Sequence, residues 1–413
     1  MKSIYTSVDI GSDTIKVVVC ELFNDKLNLL AASSVKSKGI KKGLIANFEE
    51  AKDALKLAIS KVEEILGIKV KHTLISVPSY FAEYVMVKGN INVSSSDLII
   101  TGSDVDKVIE NSISSHNLSG KSIITTIPID FMIDNNTIVK NPVGMHSEIL
   151  CMRGVIVTTP KKNLFSVLNL LDSIGVEVDD VSINGIGDYY IFEKGDMKKQ
   201  VGAVVNIGYE TTNISLFNKG IAVRSSIIQS GGINVDNDLS YLFKTSLDEA
   251  IKIKEQFALA HKKNASTNDF YELNNSSRTK INQFEASEIV MARFEQILNS
   301  VKSELEHLTS KKLDYIIFTG GTSNMTHFNY LVEEKFGSNA TIGKIKMVGV
   351  RNNKYSSAVG NILFFVDKLK LKGESYSMFS KNEIKELQNT SADVADEKID
   401  TKLSKVFGYF FGE

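Results

Sequence analysis

The sequence predicts an α/β protein with two related lobes that hold one polyphosphate between them. Two glycine-bearing turns far apart in the chain carry this prediction, at residues 8–16 and 204–214. Each consists of an apolar strand, an Asp or Asn, a glycine turn, hydroxyl residues and a second apolar strand. Such a turn points backbone N–H groups and hydroxyls into one concavity, which suits a phosphate, and glycine allows close approach. A third observation is the buried strand at 315–318, which runs into a Gly-Gly pair suited to a close-lying adenosine.

Composition fits a multi-domain soluble protein and argues against a nucleic-acid partner. The 413 residues carry 48 Lys and Arg against 49 Asp and Glu, a formal net charge of -1, whereas a generic nucleic-acid binder is strongly basic. No apolar run approaches the roughly 18 residues of a membrane-spanning helix, and the chain begins in strand pattern without a signal segment. For Cys20 and Cys151 a disulfide stays open, but two reduced core thiols in a cytoplasm are favoured. We find no Cys/His metal cluster and no Ser/His/Asp signature, although chain order alone does not exclude a triad.

The first half predicts a lobe with a small unit inserted into it. Residues 3–35 form a β-meander, and Asn47 with Glu50 forms a capping box that begins a helix ending at Gly67. From residue 84 the pattern changes to strands, with one helix beginning at Ser103. The predicted strands of this α+β unit lie at 84–93, 122–133, 137–139 and 148–158, and a helix follows at 163–174.

The second half repeats the opening theme and ends in a polar segment and an amphipathic tail. It predicts a hairpin at 202–216, a strand at 221–228, a polar loop or hairpin at 262–280, and helices at 246–260, 285–308 and 356–371. Residues 372–397 predict a flexible linker, with a helical turn near 383–387, that spans about 25–30 Å as a coil. The tail at 398–413 predicts a helix that either docks on the protein's own core or, as the polar linker favours, lies in a lipid interface.

Taken singly, each glycine turn is typical of an ordinary hairpin, but three such elements in this order resemble the actin/Hsp70/sugar-kinase superfamily. More narrowly, the chain resembles the FtsA family, actin-like bacterial division proteins that tie the FtsZ ring to the membrane. The resemblance covers essentially the whole chain. Its most specific parts are the Pro-Val-Gly-Met segment that begins at Pro142 and the tail, and residues 127–131 and 288–295 also match. It implies an actin-like (ribonuclease H-like) two-lobed α/β fold with an inserted α+β subdomain 1C and a C-terminal amphipathic helix.

The resemblance also implies a division of the chain into subdomains. Subdomain 1A would take 1–83 and 163–198, subdomain 1C 84–162, subdomain 2A 199–229 and 314–371, and the FtsZ-facing subdomain 2B 230–313. A linker at 372–397 and a membrane-targeting helix at 398–413 would follow.

By the same resemblance, ATP with Mg²⁺ would occupy the cleft between the lobes. The matching positions are Asp9, Gly11, Ser12, Thr14, Lys16, Asn206, Gly208, Thr211, Thr212, Lys254, Gly320, Gly321 and Ser323. Asp9 would hold the metal through water, since Mg²⁺ usually keeps several waters and one or two carboxylates. Where the family usually has Asp, this chain has Asn206 and Asn213, and Ile251 stands where a Glu is expected. We therefore expect nucleotide binding with weak or absent hydrolysis, and the sequence identifies no catalytic base.

The implied partners are the FtsZ C-terminal tail, further copies of the chain in a polymer through 1C and neighbouring subdomains, membrane lipid and other division proteins. Arg293 and Glu295 would face FtsZ, although Arg293 is equally typical of a solvated helix face. The apolar face of the tail would enter lipid at the cytoplasmic face of the cell membrane, at the division site, through Leu403, Val406, Phe407, Phe410 and Phe411. The alternatives are an actin-fold assembly protein resembling PilM, or a sugar or acetate kinase of the same superfamily.

Overall fold

The computed structural model describes residues 2–114, 120–134, 136–273 and 280–387, so the predicted tail helix and residues 388–397 of the predicted linker lie outside the described residues. The described chain forms two lobes, each built on a five-stranded sheet, and a separate four-stranded unit inserted into the first lobe.

The first lobe begins with a meander and one long helix. Its elements are β1 (Ser3–Ile10), β2 (Thr14–Phe23), β3 (Lys26–Lys36), β4 (Ile40–Lys41), β5 (Leu44–Ile45), α1 (Phe48–Leu66) and β6 (His72–Val77). Helix α1 begins where the Asn47 side chain accepts from the N–H of Glu50, and it ends at Gly67 in the left-handed conformation. Strands β1 and β2 are antiparallel with Ile10 opposite Ile15, so residues 11–13 form the tight turn between them.

The inserted unit is a four-stranded sheet in the order β7-β10-β8-β9 with one helix packed on it. It consists of β7 (Glu83–Asn92), α2 (Gly102–Ser114), β8 (Lys121–Ile133), β9 (Thr137–Val139) and β10 (Ile149–Pro160). The chain then returns to the first lobe through α3 (Lys161–Asp172) and β11 (Glu177–Ile183), which adds the edge strand of the order β11-β6-β1-β2-β3. Helix α4 (Asn184–Phe192) leaves that strand for the second lobe.

The second lobe repeats the layout around the sheet order β14-β13-β12-β17-β18. Its elements are β12 (Val201–Ile207), β13 (Thr212–Asn218), β14 (Ile221–Ile228), α5 (Gly232–Phe243), α6 (Leu247–Lys252), β15 (Phe270–Glu272), β16 (Lys280–Asn282), α7 (Gln283–Leu308), β17 (Tyr315–Thr319), α8 (Phe328–Phe336), β18 (Ala340–Ile342) and α9 (Ser356–Lys372). Strands β12 and β17 are parallel, with Asn206 opposite Thr319, so the second turn and the Gly-Gly element lie at the same edge.

Two crossing helices connect the lobes. Helix α4 leads from β11 to β12, and α9 returns from the second lobe to pack on β1 and β6. They cross where a Cβ on Gly360 would lie only 1.7 Å from the carbonyl oxygen of Gly187. The two backbones therefore touch directly, which only glycine at both positions permits.

Three sequence expectations differ from the structure. The predicted flexible linker at 372–397 is folded over 374–387, because Met378 donates its N–H to Ile4 and its side chain is buried with that of Phe379 on the first lobe. The predicted helix at 246–260 is shorter: α6 ends at Lys252, and a π-helical turn (Ile253–Phe257) follows. The expectation of two core thiols holds for buried Cys20, whose pKa burial raises to about 12, whereas Cys151 is half-buried; both are free.

Candidate functional site

The first glycine turn is closed by a buried ion pair within the hairpin itself. Lys16 Nζ lies 2.8 Å from Asp9 Oδ2, and the two side chains are only 9% and 7% exposed. Gly11 donates its N–H to the carbonyl of Thr14, and a Cβ on Gly11 would lie 2.8 Å from Lys16 Nζ. Ser12 accepts the N–H of Gly43 at 2.8 Å, so its hydroxyl proton is free to donate to a ligand. The turn thus offers a lysine, a hydroxyl and a glycine at one point.

The second turn has the same backbone hydrogen bond as the first, but its side chains have different hydrogen-bond partners. Gly208 donates its N–H to the carbonyl of Thr211, as Gly11 does to Thr14. Thr212 donates its hydroxyl to the carbonyl of Ser230 at 2.8 Å, so it ties the turn to the chain before α5 and does not have that proton for a ligand.

The Gly-Gly element joins the second turn. Thr322 donates its hydroxyl to the Gly208 carbonyl at 2.9 Å, a contact that sequence reasoning missed. Gly320 has a φ of +91°, and a Cβ there would lie 2.3 Å from Asn206 Oδ1, so this position needs glycine. The Ser323 hydroxyl is buried and donates to the Gly320 carbonyl, which makes it a support of the turn. Gly321 has open space beside it, bounded by Lys354.

Lys254 lies beside the second turn, as expected, and is buried in an ion pair. Its Nζ lies 2.8 Å from Asp236 Oδ1, and burial raises the pKa of that carboxyl although the lysine opposes the shift. A Cβ on Gly232 would lie 3.5 Å from Lys254 Nζ and 2.7 Å from the Thr322 hydroxyl. The start of α5 therefore packs closely against the lysine and the Gly-Gly element.

Helix α4 contacts both turns, and sequence reasoning missed it. Asn184 Nδ2 donates to Asp9 Oδ1 at 3.5 Å, and one helical turn later Asp188 Oδ2 accepts from Asn206 Nδ2 at 2.7 Å. Burial raises the pKa of Asp188 to about 6 against the opposing hydrogen bonds of Ser356, Asn206 and Ser357. Two polar residues four apart in an otherwise largely apolar helix were the available signal.

Two side chains of the second turn reach across to the first lobe. Glu210 accepts the N–H of Lys42, whose Nζ also donates to Gln229. The ring of Tyr209 lies between two cations, 5.2 Å from Lys36 Nζ and 5.7 Å from Lys254 Nζ. The lobes are therefore in contact at the turn, through residues that the sequence analysis did not select.

The predicted site residues thus converge, and they bring together glycines, a hydroxyl and lysines, which are residue types that bind phosphate. The two turns, the Gly-Gly element and Lys254 meet through α4, Thr322 and the start of α5. Buried oxygens without a hydrogen-bond partner lie on Asn184, Asn213 and Thr319, and such atoms need a ligand or water. Among the residues that the structure describes, no group of three or more His, Cys, Asp or Glu side chains could hold a metal ion. The residue closest to the expected role in metal binding is Asp9, with Lys16 already at its Oδ2.

The remaining predicted contact residues lie elsewhere. Arg293 on α7 forms a bidentate pair with Asp238 on α5, at 2.5 and 2.7 Å, and also donates to Gln296. Glu295 is exposed. The predicted lipid-facing residues from Leu403 to Phe411 lie outside the described residues. Over the described part of the chain, no helix combines the length and the apolar character needed to cross a membrane.

Comparison with known families decides which branch of the superfamily this is. A model described as "Cell division protein FtsA" matches residues 203–360, and one described as "SHS2 domain inserted in FTSA" matches 83–158, the inserted unit. The chain belongs to the FtsA family. It is 27% identical to cell division protein FtsA of Bacillus subtilis over 374 residues, covering 90% of this chain and 85% of that protein. It is 29% identical to the Streptococcus pneumoniae FtsA over 362 residues, covering 86% and 78%.

Similar solved structures confirm the predicted actin-like fold, and the family match at residues 83–158 confirms its inserted unit. MreB5 of Spiroplasma citri bound to ADP has a TM-score of 0.55 at 14% identity, covering 90% of this chain and 98% of that one. A PilM–PilN type IV pilus biogenesis complex has a TM-score of 0.57 at 12% identity, covering 89% and 98%. At such low identity these similarities establish the fold alone. The ligands and partners of this FtsA family member must therefore be argued from its own residues.

Proposed function

We propose that this FtsA family member binds ATP between its lobes, polymerises, and tethers FtsZ to the cytoplasmic face of the cell membrane at the division site. The observation that carries the nucleotide part is the convergence of the two glycine turns and the Gly-Gly element around α4. The family match over both the second lobe and the insert supports the division role.

The chain's own residues would bind the nucleotide in three places. The two turns would hold phosphates with the backbone N–H groups that follow Gly11 and Gly208, since the N–H groups of the glycines themselves bond to turn carbonyls. Ser12 would donate its hydroxyl, and Lys16 would supply a positive charge. The Gly320–Gly321 element would lie along the nucleoside, with Lys254 beside it. ATP with Mg²⁺ would supply the charge that favours a closed, polymer-competent arrangement of the lobes. The structure of MreB5 from Spiroplasma citri, which has a similar fold, contains bound AMPPNP. This supports the proposal that the present chain binds an adenine nucleotide.

Hydrolysis would be weak or absent. The second turn presents the neutral Asn206, and the Asp9 carboxylate is partly neutralised by Lys16 at 2.8 Å. Both features weaken the hold on a hydrated cation, which carboxylates usually provide. A phosphate-release assay should give no more than a few turnovers per minute. Faster release that Asp9→Ala abolishes would contradict this proposal.

Membrane attachment would come from the tail at 398–413, as proposed from its sequence pattern. Each interfacially buried apolar side chain contributes less than the roughly 1.5–3 kcal/mol of full burial, so one tail binds reversibly. A polymer multiplies the tails and thereby the strength of attachment. Lysines of the tail add attraction to anionic lipid.

Phe407→Glu tests the anchor. We expect the variant to leave vesicles that contain anionic lipid while its ATP affinity is unchanged, because the acid would lie on the apolar face. The matched control is Thr401→Glu, which adds the same charge opposite that face in a 3.6-residue helical projection. Vesicle co-sedimentation measures both variants. If Phe407→Glu still sediments, the anchor is elsewhere.

FtsZ would bind subdomain 2B near α7. The guanidinium of Arg293 is engaged in a bidentate pair with Asp238, so we assign Arg293 the role of holding α7 against α5. The exposed Glu295 would face FtsZ. Recruitment of FtsZ to vesicles, with and without residues 398–413, tests the complete proposal. An FtsZ signal that is independent of this chain would overturn the tethering role.

The rival functions predict different results. A PilM-like assembly role is favoured by the similar fold of the PilM–PilN complex, but it predicts no vesicle-dependent FtsZ recruitment. A sugar or acetate kinase would release ADP when its substrate is added, and a coupled ADP assay over common sugars and acetate detects this.

A further inference from the structure

A buried carboxylate that the proposed function does not use lies where the two lobes join. Asp188 on α4 is fully buried and accepts three hydrogen bonds. The hydroxyls of Ser356 and Ser357 donate to Oδ1 at 2.6 and 2.8 Å, and Asn206 Nδ2 donates to Oδ2 at 2.7 Å. Every partner is a donor, so the carboxylate works purely as an acceptor.

This arrangement decides which way the Asn206 amide points. An amide has a donor end and an acceptor end, and only the NH₂ end can bond to a carboxylate oxygen. With Nδ2 on Asp188, Oδ1 lies on the other side, 2.3 Å from the position that a Cβ on Gly320 would take. A flipped amide would bring two acceptor oxygens together in a buried place, which is strongly unfavourable.

We propose that Asp188 is a positioning residue of the nucleotide site: it holds Asn206 so that strand β12 presents an oxygen, not an NH₂ group, beside the Gly-Gly turn. The inference rests on the proposed nucleotide binding and goes beyond it. An oxygen at this place suits a ligand that donates hydrogen bonds, such as the hydration water of a nucleotide-bound Mg²⁺. An NH₂ group would repel that water shell's protons.

The same helix face carries the matching contact to the first turn. Asn184 and Asp188 are four residues apart, so their side chains lie one above the other on α4. Asn184 contacts Asp9, and Asp188 contacts Asn206. Helix α4 therefore positions one polar side chain in each lobe, Asp9 and Asn206. Asp188 also decides which end of the Asn206 amide faces Gly320.

Exchanging acid and amide tests this assignment. In Asp188→Asn, the oxygen of the new amide keeps accepting from the Ser356 and Ser357 hydroxyls, which donate to Asp188 Oδ1 in the unmodified chain. Its NH₂ group then faces Asn206 Nδ2, which favours a flipped Asn206 amide with NH₂ beside Gly320. In Asn206→Asp, two carboxylates meet at hydrogen-bond distance. In the double variant Asp188→Asn/Asn206→Asp, the new amide donates to the new acid, whose second oxygen again lies beside Gly320. Ser357→Ala is the control, because it removes a donor to Asp188 without changing the Asn206 amide.

Calorimetric titration with ATP, with and without Mg²⁺, measures how the orientation of the Asn206 amide affects ATP affinity. With Mg²⁺, we expect Asp188→Asn to weaken ATP binding about tenfold, the equivalent of losing one charge-assisted hydrogen bond. The double variant should regain the loss and depend more strongly on Mg²⁺ than the unmodified chain, because it adds a negative charge. Ser357→Ala should stay within about threefold. A folded Asp188→Asn with unchanged affinity, or a double variant that is no better than Asp188→Asn, would overturn the proposal.

Urea unfolding without nucleotide tests the same hydrogen bond independently of ATP. Asn206→Asp should lower the unfolding midpoint, and adding Asp188→Asn should raise it again. If the unmodified chain fails to bind ATP while this recovery is seen, the proposed function fails and the orientation of Asn206 stands. If the midpoints show no recovery, the orientation itself is wrong.

Discussion

The two glycine turns have the same backbone but are supported in different ways. In the first, the acid and the lysine that neutralises it belong to one hairpin, with Asp9 opposite Lys16 across β1 and β2. In the second, Asn206 is uncharged, and its polar partner Asp188 comes from the helix that joins the lobes. The charge of the first turn is neutralised within its own lobe, and Asn184 of the junction helix adds only a long contact of 3.5 Å to Asp9. The second turn has its polar partner on the junction helix itself.

This difference indicates where lobe movement would be felt. A rotation about the crossing of α4 and α9 would leave the Asp9–Lys16 pair intact. It would disturb Asp188, which contacts the start of α9, and the contacts of Glu210 and Tyr209 with the first lobe. The second turn is thus the one whose geometry reports the relative position of the lobes.

The largest expected effect is on the self-contained turn. Lys16→Ala would leave the buried Asp9 carboxylate without its partner, and breaking a buried pair in this way costs about 3 kcal/mol or more. Urea unfolding should show this loss. Lys36→Ala, which removes an exposed pair with Asp13 and a cation–π contact with Tyr209, is the control and should cost no more than about 1–2 kcal/mol. Equal losses in the two variants would mean that the first turn is not held by its buried pair.

The next effect concerns the close approach on the second turn. Gly320→Ala must adopt a φ of +91° and place a Cβ 2.3 Å from Asn206 Oδ1, so we expect a loss of about 1–3 kcal/mol and weaker ATP binding. Gly321→Ala is the matched control for stability, since its Cβ would make only an ordinary 3.6 Å contact with Lys354. Unfolding and ATP titration of the pair measure both quantities. An unaffected Gly320→Ala would mean that this turn can relax.

The smallest effect concerns the contacts across the lobes. Glu210→Gln keeps an oxygen for the Lys42 N–H but removes a negative charge near the proposed phosphates, so ATP affinity should rise roughly two- to fivefold. Stability should change by less than about 0.5 kcal/mol. Glu49→Gln, an exposed change on α1, serves as the control for charge alone. A fall in affinity would show that Glu210 supports the turn.

Much of this fold could be predicted from the sequence because its signals are local. Alternating strands, the Asn47 cap and the three glycine elements each depend on neighbouring residues, and the structure places them as expected. Within the polar loop or hairpin expected at 262–280, the described residues include β15, which pairs with β16 at 280–282. The division into subdomains came from the resemblance to FtsA and stays a prediction.

The rest depends on contacts between distant residues. Asp188 became part of the site because α4 crosses α9 through Gly187 and Gly360, and no local pattern shows that crossing. Residues 374–387 are polar enough to predict a linker, yet Met378 and Phe379 find a place on β1. Ser323 and Thr212 have the residue types of ligand contacts, but their hydroxyls support the turns.

The central claim is that both turns hold one nucleotide. Titration of ATP with Mg²⁺ onto the nucleotide-stripped chain, and onto Gly11→Val and Gly208→Val, tests it most directly. We predict saturable binding of one ATP per chain, weakened about tenfold or more by either substitution, because each Cβ would crowd a turn carbonyl. Absence of saturable binding, or a folded variant of either turn that binds as tightly as the unmodified chain, would contradict the claim.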